Sequence, residues 1–239
     1  MAPIEDVVIL CGGRGTRLQE HTQSIPKPLV EIGGEPIVWH VINIYAAQGL
    51  RRFLLCTGYK GDLIRGFVDS RHWPSGVEVR CVDTGEDTPT GGRIKQAGEL
   101  LGERPFCATY ADGVADIDIA ALTEFHHAHG DLATVTVVRP ELQFGIADLG
   151  DDGRIRGFHE KPRSEHWVNG GFFCFEHGAL GYIPEDSVLE REPLERLATA
   201  SQLHAYRHDG FWECMDTYKD AVLLNDIWAA GGAPWKVWA

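Results

Sequence analysis

The chain has 239 residues, 44% of them hydrophobic, which is enough to bury one substantial core and ordinary for a single α/β domain. Its formal net charge of -13, with no basic tract to offset it, argues against nucleic acid as a partner. No apolar run approaches the roughly 20 residues that cross a bilayer, and Met1–Asp6 lacks the basic start of a signal peptide, so the expectation is a cytoplasmic protein with no membrane partner.

In chain order, Asp6–Cys11 reads as a strand and a loop runs to Glu35. A helix near Ile37–Gln48, a strand at Phe53–Thr57, a helix near Asp62–Asp69 and a strand at Val77–Val82 follow. A glycine-containing loop at Asp83–Gly92 leads into a helix to Leu101. Next come strand Phe106–Tyr110, a helix near Ile119–His129 and strand Ala133–Val138. The runs VVIL, FLLC and FCATY suit strands covered on both faces, as in a parallel doubly wound sheet. After Arg139 the strands shorten (Ile146–Leu149, Ile155–Glu160, Gly170–Phe175), and helices follow near Glu190–Ala200 and Asp216–Ala229. The six cysteines form no C-x-x-C pair and mostly sit in apolar runs, so they read as reduced core residues.

The first strand opens into Gly12-Gly13-Arg14-Gly15-Thr16-Arg17, followed by Pro26-Lys27-Pro28. Glycines here let backbone N–H groups approach phosphate oxygens, and Arg17 and Lys27 add charge. No Gly-Lys-Ser/Thr follows, so this is not a P-loop. Leu18 occupies the place of the third glycine of a dinucleotide fingerprint, which excludes that motif too. Tyr110-Ala111-Asp112-Gly113 places a carboxylate at the end of an apolar strand, where it can hold Mg²⁺, and Asp216 is the candidate second acid. The bland alternatives are a turn aspartate and a helix N-cap. Asp116 and Asp118 are assigned to the start of the following helix rather than to a metal. The His126-His127-x-His129 cluster invites a metal reading, but helix spacing favours a helix surface; Trp228, Trp235 and Trp238 cap the core or form a subunit contact, and the second reading, which is favoured, gives a homo-oligomer.

The blocks GGRGTRL, PKPLVEIGG, EPI, GYKG, DTG, TGGRIK, DGVADIDI, FGIADL, EKP, NGGFF, GFWECMDTYKD and APWKVW run in order from the first strand to Trp238. Together they resemble the sugar nucleotidyltransferases, most of all the branch that couples CTP to glucose 1-phosphate. The resemblance implies a Rossmann-like doubly wound mixed α/β sheet, the GT-A-like nucleotidyltransferase fold, in one domain spanning 1–239. Residues 1–138 would hold the nucleotide, and residues 139–239 the sugar and the second metal ligand. It implies CTP and a sugar 1-phosphate as substrates, Mg²⁺ held by Asp112 and Asp216, and Arg17, Lys27, Asp112, Lys161 and Asp216 as the catalytic set. Nucleotide contacts would come from Leu10, Cys11, Gly12, Gly13, Arg14, Gly15, Thr16, Arg17, Lys27 and Ala111, and base recognition from Thr88, Thr90, Gly91, Gly92 and Arg93. Gly145, Glu160, Lys161, Asn169 and Gly170 would receive the sugar phosphate, Gly145 leaving room for the pyranose. Only about twenty residues separate the GYKG block from Asp83, fewer than such cytidylyltransferases usually carry, and Cys11 replaces a usual alanine. A different nucleotide, a different phosphorylated acceptor, or a regulatory module without turnover stays open as an alternative.

Overall fold

The computed structural model describes residues 3–15 and 24–238. The first half builds β1 (Asp6–Leu10), a 3-10 turn at Lys27–Leu29, the small hairpin β2 (Glu31–Ile32) and β3 (Glu35–Pro36), and α1 (Ile37–Ala46). It continues through β4 (Arg52–Thr57), α2 (Gly61–Ser70), β5 (Glu78–Asp83), α3 (Thr90–Leu101), β6 (Phe106–Tyr110), β7 (Gly113–Ala115), α4 (Ile119–His129) and β8 (Ala133–Val138). The second half adds β9 (Ile146–Leu149), β10 (Ile155–His159), β11 (Val168–Phe175), α5 (Glu192–Thr199), β12 (Leu203–Arg207), β13 (Trp212–Cys214) and α6 (Tyr218–Ala229).

Seven strands form one sheet in the order β12-β8-β11-β6-β1-β4-β5. β1 pairs in parallel with β4 and β6, and β4 with β5, while β11 runs antiparallel to both β6 and β8. This is the doubly wound mixed sheet that the sequence implies. Its apolar runs have a direct cause: Val7 and Ile9 face one core with α1, α2 and α6, and Val8 faces the other with Ile94 and Ala97 of α3. Both faces of β1 are therefore dry, which demands an unbroken hydrophobic strand.

Three features differ from expectation. β12 is an edge strand of the sheet, parallel to β8, in a stretch with no strand signal. Trp235 is fully buried, stacked on Phe211 at 5.4 Å and hydrogen-bonded through Nε1 to His40 Nδ1 at 3.3 Å. Trp228 packs against His40 and Trp238 against Trp39. The late tryptophans thus close this chain's own core, the first of the two roles that the sequence offers them.

The histidine cluster is not a helix surface. His126 is 1% exposed, with Nδ1 2.8 Å from Thr134 Oγ1, and His129 Nε2 shares that hydroxyl at 2.7 Å. The backbone N–H of Asp131 donates to His129 Nδ1, so the His129 proton sits on Nε2 and points at Thr134. Burial, and secondarily His129 and His127, pushes the His126 pKa down to about 4. The six cysteines carry free thiols, four of them buried. Among the described residues no helix is long and apolar enough to cross a membrane.

Candidate active site

The loops that follow β1, β5 and β6 converge beyond the carboxyl ends of the strands, the usual ligand position in an open α/β sheet. They bound a cleft of about 540 Å³ lined by residues 10–15, 27–28, 86–90 and 110–112 together with Arg93, Val188 and Asp216. Leu10, Cys11, Gly12, Gly13, Arg14, Gly15, Lys27, Thr88, Thr90, Arg93, Ala111, Asp112 and Asp216 of the anticipated set thus line one cleft. Thr16 and Arg17 lie outside the described residues.

Short-range strand pairing brings the two acids together across the chain. β7 and β13 run antiparallel with Gly113 opposite Cys214, and the Met215 N–H donates to the Asp112 carbonyl at 2.9 Å. Asp216 therefore lies beside Asp112. It is not the helix cap: Thr217 is, in a capping box with Asp220, whose carboxylate also accepts the Asp216 N–H at 3.0 Å. Between the carboxylates sits the Lys27 ammonium, 2.5 Å from Asp112 Oδ2 and 2.7 Å from Asp216 Oδ1. Burial alone would favour neutral Lys27, but Asp112 and Asp216 outweigh it and raise the Lys27 pKa. The oxygens already surround a cation, and a carboxylate pair of this kind suits a hard divalent ion. The Cys214 sulfur also lies within 4.8 Å of both carboxylates. Asp118 caps α4 and Asp116 approaches His208 at 3.0 Å, so neither joins the pair.

The glycines and the base segment carry structural contacts that the sequence did not anticipate. Arg93 is 4% exposed, and its guanidinium donates to the carbonyls of Thr57 (2.9 Å), Glu86 (3.1 Å) and Gly12 (3.2 Å) and to Thr84 Oγ1 (2.6 Å). Burial lowers its pKa, yet a guanidinium stays charged at any relevant pH. A Cβ on Gly12 would stand 2.0 Å from Arg93 Nη1, so this glycine admits a guanidinium of the chain itself. A Cβ on Gly92 would stand 2.0 Å from the Glu185 carbonyl, and one on Gly91 2.3 Å from Ser187 Oγ. Both glycines seat α3 against residues 185–187. Thr90 Oγ1 donates to Glu190 Oε2 and accepts from the Leu189 N–H, each at 2.8 Å, so its hydroxyl is spent within the chain. Thr88 donates to the Thr84 carbonyl. Exposed Arg14 pairs with Glu86 at 2.8 Å and Asp87 at 3.0 Å across the cleft mouth.

On the sugar side the outcome is mixed. Asn169 Nδ2 donates to the Tyr110 hydroxyl at 3.1 Å, and Tyr110, which lines the cleft, donates in turn to Glu190. Gly170 accepts from Trp212 Nε1 at 2.7 Å. Gly145, Glu160 and Lys161 stand on or beside the β9–β10 hairpin, outside the described walls of the cleft. The room beside Gly145 is not open: a Cβ there would meet the Phe158 ring at 2.4 Å and Glu160 Oε2 at 2.9 Å. Lys161 adopts φ 46, a left-handed backbone uncommon outside glycine. Tyr110 and Glu190 escaped the sequence reading; the available signal for Tyr110 was its place as the last residue of an apolar strand, one step before Ala111-Asp112.

Residues 6–220 match the Nucleotidyl transferase family, and the chain belongs to it. Within that family it is 42% identical over 254 residues to a glucose-1-phosphate cytidylyltransferase of Salmonella typhi, covering 97% of this chain and 98% of the relative. A probable glucose-1-phosphate cytidylyltransferase of Bacillus subtilis is 40% identical, with 97% and 99% covered. Among solved structures, a UDP-glucose pyrophosphorylase complexed with UDP-glucose superposes with a TM-score of 0.76 at 16% identity, covering 96% of this chain and 100% of that one. HddC from Yersinia pseudotuberculosis complexed with GMP-PN gives 0.74 at 24% identity, covering 94% and 100%. The two structures share the fold.

Proposed function

We propose that the chain transfers a cytidylyl group from CTP to α-D-glucose 1-phosphate, giving CDP-glucose and pyrophosphate. What carries the reading is the 40–42% identity to cytidylyltransferases along nearly the whole chain. The cleft supports it by gathering the glycine loop, Lys27 and the Asp112–Asp216 pair.

A phosphate oxygen of the sugar 1-phosphate attacks the α-phosphorus of CTP in line. The new P–O bond forms as the bond to the bridging oxygen of the β-phosphate breaks, and pyrophosphate leaves. The substrate brings its own nucleophile, so the protein's work is alignment and charge neutralisation. Asp112 and Asp216 fit a divalent cation, Mg²⁺ in this reading, which when bound offsets charge on the reacting phosphates. Lys27 supplies positive charge to the same phosphates, and the sequence offers Arg17 for that role. Residues 10–17 hold the ribose and triphosphate, and residues 86–90 face the base, fixed by Arg93 and by the Thr90–Glu190 contact. Asn169, acting through Tyr110, orients the sugar end, with Gly170 beneath it and Glu160 and Lys161 approaching from the β9–β10 hairpin. In this division residues 1–138 serve the nucleotide, and residues 139–239 the sugar and the second acid, within one domain.

The free thiols suit a reducing compartment, and the reading places the enzyme in the cytoplasm with its nucleotide. The tryptophans no longer support a homo-oligomer. The β9–β10 hairpin does, because among the described residues its strands pair only with each other, and Phe144, Leu149, Ile155 and Phe158 are exposed. Sedimentation at micromolar concentration tests this, a monomer contradicting it. For the reaction itself, ³¹P NMR of a mixture with CTP, glucose 1-phosphate and Mg²⁺ should develop the paired doublets of a nucleotide sugar together with pyrophosphate. A spectrum unchanged by folded enzyme contradicts the reading.

A further inference from the structure

We propose that Lys27 is a built-in competitor for the divalent cation, so that cation and nucleoside triphosphate load as a coupled pair. The proposal rests on the reading that Asp112 and Asp216 hold the cation. The ammonium lies 2.5 Å from one carboxylate and 2.7 Å from the other, contacting both residues at once. A magnesium-sized ion bonds carboxylate oxygens at about 2.0–2.1 Å. Placed on the same two oxygens it would sit against Nζ, so each cation weakens the hold of the carboxylates on the other. Ammonium and metal therefore compete for this spot.

The lysine can yield because its backbone does not need to. Lys27 opens a 3-10 turn held between Pro26 and buried Pro28, while its four-carbon stem can swing the ammonium away from a fixed Cα. The displaced charge then needs an anion inside the cleft. The acidic residues of the opposite wall, Glu86 and Asp87, are already paired with Arg14. A triphosphate lying along residues 10–15 supplies the anion instead. The lysine thus exchanges carboxylates for phosphates as the metal takes the carboxylates. Each ligand raises the affinity for the other by the same factor, as linkage requires. Lys27 is in this sense a positioning residue for the metal as well as a phosphate contact.

The test is Mn²⁺ binding without nucleotide, read from the electron paramagnetic resonance of free Mn²⁺, on wild type, Lys27→Met and Asp112→Asn. The expected result is that Lys27→Met binds Mn²⁺ at least about tenfold more tightly than wild type, whereas Asp112→Asn loses binding. If Asp112→Asn loses binding but Lys27→Met is equal to or weaker than wild type, the competitor role is overturned and the metal site stands. If Asp112→Asn binds as wild type does, the metal-site reading itself falls. A second measurement uses the unaltered protein, so it holds even if Lys27→Met fails to fold. Reductive methylation of Lys27, read by peptide mass, should rise when Mn²⁺ is added, and labelling that does not change overturns the proposal.

Discussion

Arg93 Nη2 donates to the Gly12 carbonyl at 3.2 Å, joining the start of α3 to the loop after β1 across 81 residues of sequence. Since the same guanidinium also holds the Glu86 carbonyl, the two loops that face each other over the cleft are hung on one buried cation. Gly12 is the condition for this arrangement, because a Cβ there would stand 2.0 Å from Arg93 Nη1.

Gly12→Ala and Arg93→Met should each lower kcat/KM by about 10²-fold and destabilise by about 3 kcal/mol, since hydrogen bonds from a charged donor to buried carbonyls are lost. Both act on one contact, so the double variant should cost no more than the worse single variant. Steady-state kinetics with chemical denaturation checks this. Additive losses would show that Gly12 and Arg93 act separately.

Lys27→Ala should reduce turnover by about 10²–10³-fold. Its melting temperature in saturating Mg²⁺ should stay within about 2 °C of wild type, because the side chain packs no core and the metal then neutralises Asp112 and Asp216. Rapid-quench kinetics and calorimetry decide the matter, near wild-type rates being the adverse result.

His126 makes stability depend on pH in the acid range. Its folded pKa of about 4 lies below the value of about 6.5 for an unfolded chain. The unfolded state therefore binds more protons between those limits, so stability is full above pH 6.5 and falls as the pH drops toward 4. The loss should reach about 2–3 kcal/mol. In urea titrations at pH 7 and pH 5, His126→Gln should show a smaller pH difference than wild type. Glu176 Oε1, 3.7 Å from His126 Nε2, and the neighbouring His127 and His129 are the groups that could move this window.

Trp235→Ala should destabilise by about 3–5 kcal/mol, as for large-to-small changes in a closed core, with no change in sedimentation coefficient. A variant of native stability that sediments differently would return Trp235 to a subunit contact.

The residues explain what the sequence made legible. Runs such as VVIL were readable because both faces of β1 are covered, and the approach of Asp112 to Asp216 was readable because each stands in a distinctive block. β12 was hidden by its position at the sheet edge, where Leu203-His204-Ala205-Tyr206-Arg207 need not be continuously apolar. Three-residue β7 and β13 are too short for any periodic signal, although they join the acids. Gly91, Gly92 and Arg93 carry a structural task that the sequence did not reveal, for one physical reason. Their partners at 185–187 and at Gly12 are distant in sequence, so a motif that resembles a ligand loop was also a packing device. Trp235 follows the same rule, since its partner His40 lies 195 residues away.

The central claim is most directly tested by pyrophosphate release with Mg²⁺ and glucose 1-phosphate against CTP, UTP, dTTP, ATP and GTP in separate reactions. Release with CTP should stand far above the other four. Release led by another nucleotide would place the error in the base-facing residues 86–90, and silence with all five would contradict the assigned reaction.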